Sequence, residues 1–558
     1  MSARAPYNFI PIKNDEVINV SPFLENRYNQ NLYTGYIEFK IKTLTPVYVR
    51  DGVPIDEYGK ENKNNTDFFN INGKYLIPGS SLKGMIRTLI EIVTFSKFKF
   101  FDDKRLYYRL VAAKTDLRIA KQYRERMVVN IKGSSGRPRS RSKAKPGFLF
   151  KQGKDYYIIP AKNGNYRIEH GARRKDCKEP GFVRIGNTYY VCSGRMPNKR
   201  HHYSFTLPDN PESKKIKLSD SDVNDYKNDI NRMEGMNLLD KLKHEKYVPC
   251  FYITYQGNKY AFGHNPFFRL PYEKTTGQFI PDYNKEIDIA ESIFGVENDD
   301  KNNGTAGKVF FESAVLEGTP KFEVDNPVCP DILSSPKPTS FQLYLEQVSN
   351  KLSKLISYND KGSIRGYKMY WHKENKEWKF RGDANKSRKV LTTPIKPLAA
   401  DNSFKGKIRF ENLSKEELGA FLFVLDLPQG MAHKIGLAKP LGLGSIRITP
   451  KLYLSDRKKR YTDLWAEFNS LTESDKNIFN NAFQSFLLEN VKNVNPKISD
   501  VWQHHRLFQL KKMLDFDNNI HIKNWIHKVS YMNFDDRDDR NKFRYREVLP
   551  KPSDVARN

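Results

Sequence analysis

Residues 75–93, YLIPGSSLKGMIRTLIEIV, combine an apolar face with hydroxyl groups and cations. The apolar residues recur at spacings of three and four, which predicts an amphipathic α-helix. Pro78 blocks an earlier start, and Ser80 or Ser81 is the expected N-cap. The sequence therefore predicts a helix whose first turn presents hydroxyl groups.

Charged and small residues make this helix start a candidate phosphate site. Lys83 and Arg87 are four residues apart, so they share one side of the helix. Gly84 costs roughly 1 kcal/mol relative to alanine inside a helix, which indicates that a ligand approaches the backbone closely. Free amides at a helix N-terminus, together with cations, suit a phosphate. The alternative is an ordinary capped helix with solvated cations.

A second candidate phosphate site is the glycine-rich stretch HKIGLAKPLGLGS, residues 433–445. Gly436, Gly442 and Gly444 allow positive φ and a close approach to a ligand. Donors and positive charge come from His433, Lys434 and Lys439. A Walker A loop is excluded because no Gly-Lys-Ser/Thr follows at the required spacing. The alternative is a tight helix-to-strand turn that needs glycine for steric reasons.

Paired histidines occur at two places. His201 and His202 lie in the basic stretch RMPNKRHHYSF. Adjacent side chains of a strand point to opposite faces, so a shared metal site is not expected there. One of the two acts as a general acid or base on RNA, or the stretch is a basic contact patch, which is the favoured interpretation. His504 and His505 fall on an amphipathic helix and are assigned structural roles.

The composition points to a polyanionic partner. The 558-residue chain contains 95 Lys and Arg against 65 Asp and Glu, a formal net charge of +30. Release of counterions favours binding of such a chain to nucleic acid, and RNA or DNA is preferred over an anionic membrane.

No apolar run approaches the ~20 residues of a membrane-spanning helix, and no signal-peptide core begins the sequence. Four scattered cysteines, without a Cys-x-x-Cys pair, argue against a zinc finger or a disulfide framework. A cytoplasmic location is therefore expected.

Two ordered blocks, each strand–helix–strand, are separated by a long excursion. Ile37, Phe39 and Ile41 alternate with polar residues in the first block, and Ser414 with Glu417 forms a capping box in the second. This order predicts an α+β fold with a ferredoxin-like, RRM-type core, a large insertion and a helical C-terminal extension. Residues 133–147, GSSGRPRSRSKAKPG, are predicted to be a flexible loop.

The expected divisions follow from these blocks. They are an N-terminal extension (1–35), the first part of the RRM-like core (36–99), a basic and irregular insertion domain (100–285), the continuation of the core (286–319), a thumb-like insertion (320–404), the end of the core with the glycine-rich loop (405–450) and the helical C-terminal extension (451–558).

The stretch YLIPGSSLKGMIR, taken with ENLSKEELGAFLFVLDLP and HKIGLAKPLGLGS, resembles the RAMP superfamily of CRISPR-associated proteins. The best match is the backbone-forming branch of type III effector complexes, in a long form with a large insertion after the first helix. In such subunits the helix start and the glycine-rich loop hold the sugar-phosphate backbone of the guide RNA. The resemblance therefore implies guide-RNA contacts from Gly79, Ser80, Ser81, Lys83, Arg87, His433, Lys434, Lys439, Gly442 and Gly444.

The resemblance also implies catalysis in the loop after the first strand. In related subunits an aspartate of that loop cuts the target RNA paired to the guide, with a divalent metal such as Mg²⁺. The corresponding loop spans residues 50–74, and Asp51, nearest the strand end, is the expected catalytic residue. Asp56, Glu57 and Asp67 are further carboxylates of the same loop. The alternative is an acidic, solvated loop without catalysis.

Three functions stay open from the sequence. The first is a RAMP subunit of a type III CRISPR effector ribonucleoprotein in antiviral defence, with guide RNA, target RNA and other RAMP subunits as partners. The second is a non-catalytic structural RNA-binding subunit. The third is a metal-independent endoribonuclease that processes precursor guide RNA through His201 or His202.

Overall fold

The computed structural model describes residues 2–12, 17–20, 29, 31–52, 66–111, 113–132, 138–170, 181–192, 201–230, 236–255, 257–297, 304–333, 336–374, 376–379, 393–462, 465, 471–491, 498–533 and 535–557. The chain alternates helices and antiparallel strands within these ranges.

The strands are β1 (Tyr7–Ile10), β2 (Tyr33–Thr43), β3 (Asn70–Ile71), β4 (Lys74–Ile77), β5 (Arg105–Tyr108), β6 (Val128–Lys132), β7 (Pro138–Ser142), β8 (Lys145–Gln152), β9 (Asp155–Pro160), β10 (Arg167–His170), β11 (Gly181–Ile185), β12 (Thr188–Cys192), β13 (His201–Thr206), β14 (Ile216–Lys217), β15 (Tyr247–Tyr255), β16 (Lys259–Gly263), β17 (Leu270–Thr275), β18 (Val309–Phe311), β19 (Ala314–Glu317), β20 (Tyr367–Tyr370), β21 (Ser403–Leu413), β22 (His433–Lys434), β23 (Ser445–Ser455) and β24 (Leu471–Ser474).

The helices are α1 (Gly79–Val93), α2 (Arg118–Met127), α3 (Asp220–Lys227), α4 (Leu238–Lys241), α5 (Ile289–Phe294), α6 (Phe341–Tyr344), α7 (Lys415–Leu425), α8 (Arg457–Thr462), α9 (Lys476–Asn490), α10 (His505–Leu514), α11 (Phe516–Asn519), α12 (Trp525–Lys528), α13 (Arg537–Arg544) and α14 (Pro552–Val555). Short 3₁₀ turns span Lys162–Gly164, Pro211–Lys214, Gly277–Phe279, Leu352–Lys354, Lys439–Leu441 and Val501–Gln503.

A central sheet carries both sequence motifs. Its strand order is β22–β23–β2–β21–β19–β4–β3, with β18 on β21 and β24 on β23, and the pairs are antiparallel. Along the chain β2, α1, β18 with β19, β21, α7 and β23 follow one another. Ile37, Phe39 and Ile41 of β2 are buried while Lys40 and Lys42 are exposed, as the alternation predicts.

Helices α1 and α7 pack with the sheet in one hydrophobic core. Ser414 and Glu417 form the predicted capping box at the start of α7. Helix α7 is buried almost all round because α9 covers it. The close contact requires Gly419, since a Cβ at this position would lie 2.2 Å from the carbonyl oxygen of Phe479.

The stretch between α1 and α5 is more ordered than its sequence predicts. It contains a five-stranded sheet, β14–β9–β8–β15–β16, and a four-stranded sheet, β10–β13–β12–β11. Aromatic side chains join the two: the ring centroids of Phe148 and Tyr189 are 4.8 Å apart, and those of Phe205 and Phe251 are 5.4 Å apart. The expected flexible loop at 133–147 is wrong for residues 138–142, which form β7 and pair with β6. Residues 133–137 lie outside the described part.

The C-terminal helices dock on their own chain. Trp525 of α12 packs edge-on against Trp371, with ring centroids 5.1 Å apart. The Leu514 carbonyl, at the end of α10, accepts a hydrogen bond from the Ala432 amide at 2.9 Å. The segment before the glycine-rich loop is therefore held by the tail.

Two expectations about the whole chain can be compared with the structure. Cys192 is disulfide-bonded, a bond that the argument against a disulfide framework did not anticipate, whereas Cys250 and Cys329 are free. Among the described residues, no helix has both the length and the apolar character needed to cross a membrane.

Candidate nucleic-acid-binding groove

The start of α1 and the glycine-rich loop line one groove with a cavity volume of about 550 Å³. The two motifs are far apart in the sequence, at residues 79–84 and 433–445. The walls of the groove are formed by residues 49–50 after β2, by α1, by β20, by the glycine-rich loop and by the end of α10. The lining residues are Val49, Arg50, Ser80, Ser81, Gly84, Met85, Thr88, Leu89, Lys368, Met369, Tyr370, His433, Lys434, Ile435, Gly436, Leu437, Lys439 and Leu514.

The start of α1 differs from the sequence prediction. The helix begins at Gly79 with Pro78 at the N-cap position, and no side chain caps it, so Ser80 and Ser81 are not the N-cap. The physical reason is that the amide of Gly79 donates to the hydroxyl of Ser313, in the link between β18 and β19, at 3.2 Å, so this amide has a partner from a distant part of the chain. Both serines therefore lie in the first turn and line the groove.

Gly84 lies on the groove side of α1 and is exposed. A Cβ built at this position meets no atom within 4 Å, so no neighbour inside the protein requires a glycine. A glycine inside a helix costs about 1 kcal/mol relative to alanine. The open surface leaves room for a ligand backbone against the helix.

Lys83 and Arg87 do not line this groove. Arg87 donates from Nε to Glu91 at 3.0 Å, and its guanidinium lies 4.2 Å from the centroid of the Phe100 ring. It faces a separate cavity of about 670 Å³ that also contains Phe294. The structure thus places Arg87 on a different side of α1 from the serines.

Glycines of the second motif set the shape of the loop. Gly436 has φ +81°, and a Cβ there would lie 2.4 Å from the Tyr48 carbonyl oxygen. Gly444 has φ +89°, and a Cβ would lie 2.0 Å from the Ile435 carbonyl oxygen. Gly436 lines the groove, whereas Gly444, Gly442 and Gly79 are buried and do not line it. Their observed role is to fix the backbone.

Cations line the groove, and no carboxylate is among its described lining residues. The cations are Arg50, Lys368, Lys434 and Lys439. Burial lowers the pKa of Lys439, and burial together with the neighbouring cations Lys373 and Lys439 holds the pKa of Lys434 well below its usual range. The ammonium groups are therefore desolvated without an anionic partner on the groove surface.

The Lys434 ammonium is held by neutral acceptors. Its Nζ donates to the Gly442 carbonyl oxygen at 3.1 Å and to the Ser445 hydroxyl oxygen at 3.0 Å. The same hydroxyl lies 2.9 Å from Nδ1 of His372, a buried histidine. Lys434 is thus fixed in position while its charge is left without a counter-ion.

His433 is a buried, neutral member of the groove wall. Its Nε2–H donates to the Val424 carbonyl oxygen at 2.7 Å, and burial lowers its pKa to about 4. The imidazole is uncharged at neutral pH, so the expected contribution of positive charge from this residue is not realised.

Lys368 of β20 adds a cation that the sequence motifs do not contain. Its Nζ lies 3.9 Å from the centroid of the Tyr7 ring and donates to the Tyr344 hydroxyl oxygen at 3.1 Å. Burial lowers the pKa of Lys368 to about 8. The pattern GYKMYWH predicts a strand, but a single sequence gives no signal for where that strand packs.

Asp51 directly follows Arg50, a lining residue of the groove, but is not itself among the lining residues. Its carboxylate accepts hydrogen bonds from the Gly52 amide at 2.8 Å and from the Asn70 side-chain amide at 3.1 Å. Within the described residues no group of three His, Cys, Asp or Glu side chains is placed to hold a metal ion. Asp56 and Glu57 lie outside those residues. Asp51 and Asp67, the carboxylates of this loop that the structure describes, are not part of such a group.

The histidine pairs lie elsewhere. His202 is on β13 of the four-stranded sheet, does not line the groove and pairs through its backbone with Glu169. His504 is the N-cap of α10 and accepts from the Arg506 amide at 3.3 Å. His504 therefore has the structural role expected for it.

Comparison with known families decides what this chain is. The model of the RAMP superfamily matches residues 40–447 of the 558 residues, a range that contains both motifs and both sides of the groove up to Lys439. The chain belongs to the RAMP superfamily. Membership indicates a CRISPR-associated, RNA-binding role for this RAMP protein. No curated protein matches the chain significantly.

Proposed function

We propose that this RAMP protein is a guide-RNA-binding subunit of a type III CRISPR effector ribonucleoprotein, in a long form with a large insertion. The observation that carries the proposal is the groove itself. Two motifs far apart in the sequence line one surface with four cations and no described carboxylate. Single-stranded RNA, with a phosphate at every nucleotide, is the complementary ligand.

The electrostatics of the groove favour an anion. Burial away from a negative charge favours the neutral amine, and burial lowers the pKa values of Lys368, Lys434 and Lys439. A phosphate placed among these groups supplies the missing negative charge and restores the charged form. Each such contact also releases counterions from the RNA.

The first turn of α1 contributes donors as well as charge. Ser80 and Ser81 present hydroxyl groups on the groove, and the N-terminal end of the helix carries a partial positive charge. Gly84 leaves open space one turn further along. The RNA backbone is therefore expected to cross the helix start at Ser80, Ser81 and Gly84.

The proposal includes a ferredoxin-like core. Antiparallel order β23–β2–β21–β18, with α1 after β2 and α7 after β21, supports this assignment. Residues 100–285 and 320–404 are then insertions, and residues 451–558 are the helical extension. Gly79, Gly442 and Gly444 act on the RNA indirectly, through the backbone they shape.

Target cleavage through Asp51 is a further part of the proposal, with Mg²⁺ as the metal that such chemistry would use. The position of Asp51 beside Arg50, a lining residue of the groove, supports it. The alternative is a structural RNA-binding subunit without catalysis. Processing of precursor guide RNA by His201 or His202 has less support, because His202 does not line the groove.

The experiment is a binding titration with labelled single-stranded RNA, using Lys434→Met combined with Lys439→Met. We expect weaker binding of every RNA sequence and a salt slope reduced by about 1 per lysine. The control is Lys351→Met with Lys354→Met, which removes two exposed cations outside the groove. Equal losses in both double variants would contradict the groove. Whether the bound RNA is guide RNA is tested by sequencing the RNA that co-purifies with the protein from its native host. Short RNAs that share a repeat-derived end are expected, and heterogeneous RNA would contradict the guide-binding part of the proposal.

A further inference from the structure

A series of hydrogen bonds runs from the C-terminal helices to the groove. The indole Nε1–H of Trp525 donates to the His372 carbonyl oxygen at 2.7 Å. Nε2 of His372 lies 3.0 Å from the Ala432 carbonyl oxygen, and Nδ1 lies 2.9 Å from the Ser445 hydroxyl. Ser445 in turn accepts from Lys434.

The direction of these bonds follows from their chemistry. A carbonyl oxygen only accepts, so Nε2 of His372 carries the proton that goes to Ala432. Nδ1 then has a lone pair and accepts the hydroxyl proton of Ser445. The Ser445 oxygen is consequently turned with its lone pairs toward the Lys434 ammonium. His372 is buried, and burial holds its pKa well below the usual range, so this tautomer persists at neutral pH.

The C-terminal residues 514–530 make further hydrogen bonds to the segments around His372 and Ala432. The residue after His372, Lys373, is buried and donates from Nζ to the Val529 carbonyl oxygen at 3.0 Å. The Gly430 carbonyl accepts from the Phe516 amide at 2.9 Å. Residues 514–530 thus contact residues 430–432, which directly precede β22, as well as His372 and Lys373. They lie outside the range 40–447 that the family model matches.

We propose that His372 is a positioning residue for Lys434, and that the C-terminal residues 514–530 set the RNA affinity of the groove through it. The inference rests on the proposed function, because it concerns the same groove. In its charged form Lys434 has three N–H donors; Ser445 and Gly442 accept two, which leaves one for a phosphate oxygen of the ligand. In this proposal Lys434 contacts the RNA, and its orientation depends on residues 514–530.

The charged and titratable neighbours of Lys434 determine how easily its ammonium group loses a proton. Lys373 and Lys439 repel its positive charge, and His372 and His433 are neutral. Arg50 lies on the same groove. The Ser445 oxygen and the Gly442 carbonyl are therefore the groups that favour the ammonium form. Removal of the Ser445 hydroxyl makes Lys434 easier to deprotonate.

The test is the pH profile of RNA affinity for Ser445→Ala, measured with labelled single-stranded RNA on the full chain. We expect about tenfold weaker binding at pH 8, and a midpoint of the alkaline loss of binding about one pH unit lower, because a hydrogen bond to a charged group is lost. Ser96→Ala is the control: it removes an equally buried serine hydroxyl outside the groove. It should leave the midpoint unchanged.

Trp525→Phe tests the tail and covers the case in which Ser445→Ala fails to fold. It keeps an aromatic ring against Trp371 and removes the indole N–H. We expect a shift of the midpoint in the same direction as for Ser445→Ala. An unchanged midpoint in Trp525→Phe, or in a folded Ser445→Ala, would overturn the inference even if thermal stability falls.

A double variant separates this result from failure of the proposed function. Ser445→Ala in a Lys434→Met background should add nothing to the loss that Lys434→Met alone causes, since the hydroxyl acts through the lysine. Additive losses would overturn the inference. If Lys434→Met itself leaves RNA affinity unchanged, the groove does not bind RNA and the proposed function is wrong.

Discussion

The Lys434 ammonium donates to the carbonyl oxygen of Gly442, eight residues further along the same loop, at 3.1 Å. The glycine-rich loop therefore fixes its own cation with its own backbone. Gly442 has φ +109°, a conformation that favours glycine, so the position of this carbonyl depends on that residue. The position of Lys434, which lines the groove, therefore depends on a buried residue that does not face it.

Lys439→Met is expected to raise stability and weaken RNA binding at the same time. The Lys439 amine is partly buried with a lowered pKa and has no carboxylate among the lining residues of the groove. Methionine keeps the apolar stem and removes the desolvated charge, so the melting temperature without RNA should rise. Calorimetry measures the expected rise in melting temperature, and RNA titration measures the expected loss of affinity. A lower melting temperature would contradict the proposed electrostatics.

Gly84→Ala should separate helix stability from ligand contact. Alanine at this position meets no atom within 4 Å, so the free energy of unfolding should rise by about 0.5–1 kcal/mol. RNA binding should weaken because the methyl group occupies the open surface. Gly419→Ala is the opposite case: its Cβ would lie 2.2 Å from the Phe479 carbonyl oxygen, so it should destabilise the fold. Tighter RNA binding by Gly84→Ala would argue against contact there.

RNA affinity should fall as the pH rises above 8. The pKa of Lys368 is about 8 in the RNA-free protein, against an ordinary value of 10.5, so its amine is half charged at pH 8 and progressively neutral above it. Each required proton weakens binding about tenfold per pH unit above the pKa. Lys368→Arg keeps its charge over this range, and its profile should be flatter. Identical profiles in the two proteins would show that Lys368 contacts no phosphate.

The fold should lose stability in mild acid because of His433. Its pKa is about 4 in the folded protein and 6.5 ordinarily, so the folded state binds fewer protons. The stabilisation is complete above pH 6.5 and is lost as the pH falls toward 4, by about 3 kcal/mol for this group. Urea unfolding at pH 7 and pH 4.5 measures the loss. His433→Gln, which does not titrate, should show a smaller difference.

Asp51→Asn should abolish target cleavage and leave guide binding intact. The asparagine keeps the size of the side chain, and an oxygen still accepts from Gly52 or Asn70. Cleavage of guide-complementary RNA by the assembled complex is the measurement, with Asp67→Asn as the control in the same loop. Undiminished cleavage at every position would leave the structural, non-catalytic subunit as the better interpretation.

Local patterns explain which features the sequence predicts well. The alternation in β2 and the capping box of Ser414 and Glu417 depend on neighbours within a few residues, and both occur as expected. The predicted N-cap of α1 is wrong because the partner of the Gly79 amide, Ser313, comes from the link between β18 and β19, which is distant in the sequence. No pattern around residue 79 carries that information.

The groove itself was only partly predictable. Both motifs indicate phosphate binding from composition, and Ser80, Ser81, Lys434 and Lys439 do meet on one surface. Arg87 faces another cavity because a spacing of four residues fixes its side of the helix but not what packs there. Lys368 lines the groove and the buried His372 lies behind Lys434, and no motif around residues 368–372 indicates this packing.

Leu514 lines the groove, and Trp525 and Val529 bind the segment behind it, so residues near the C-terminal end of the chain complete the site. The helix at residues 79–93 leaves the ribosome long before the residues that complete its groove. A nascent chain that ends within the RAMP-matched range therefore has cations but no finished binding surface. The groove takes its final form only after residues 514–529 have been synthesised.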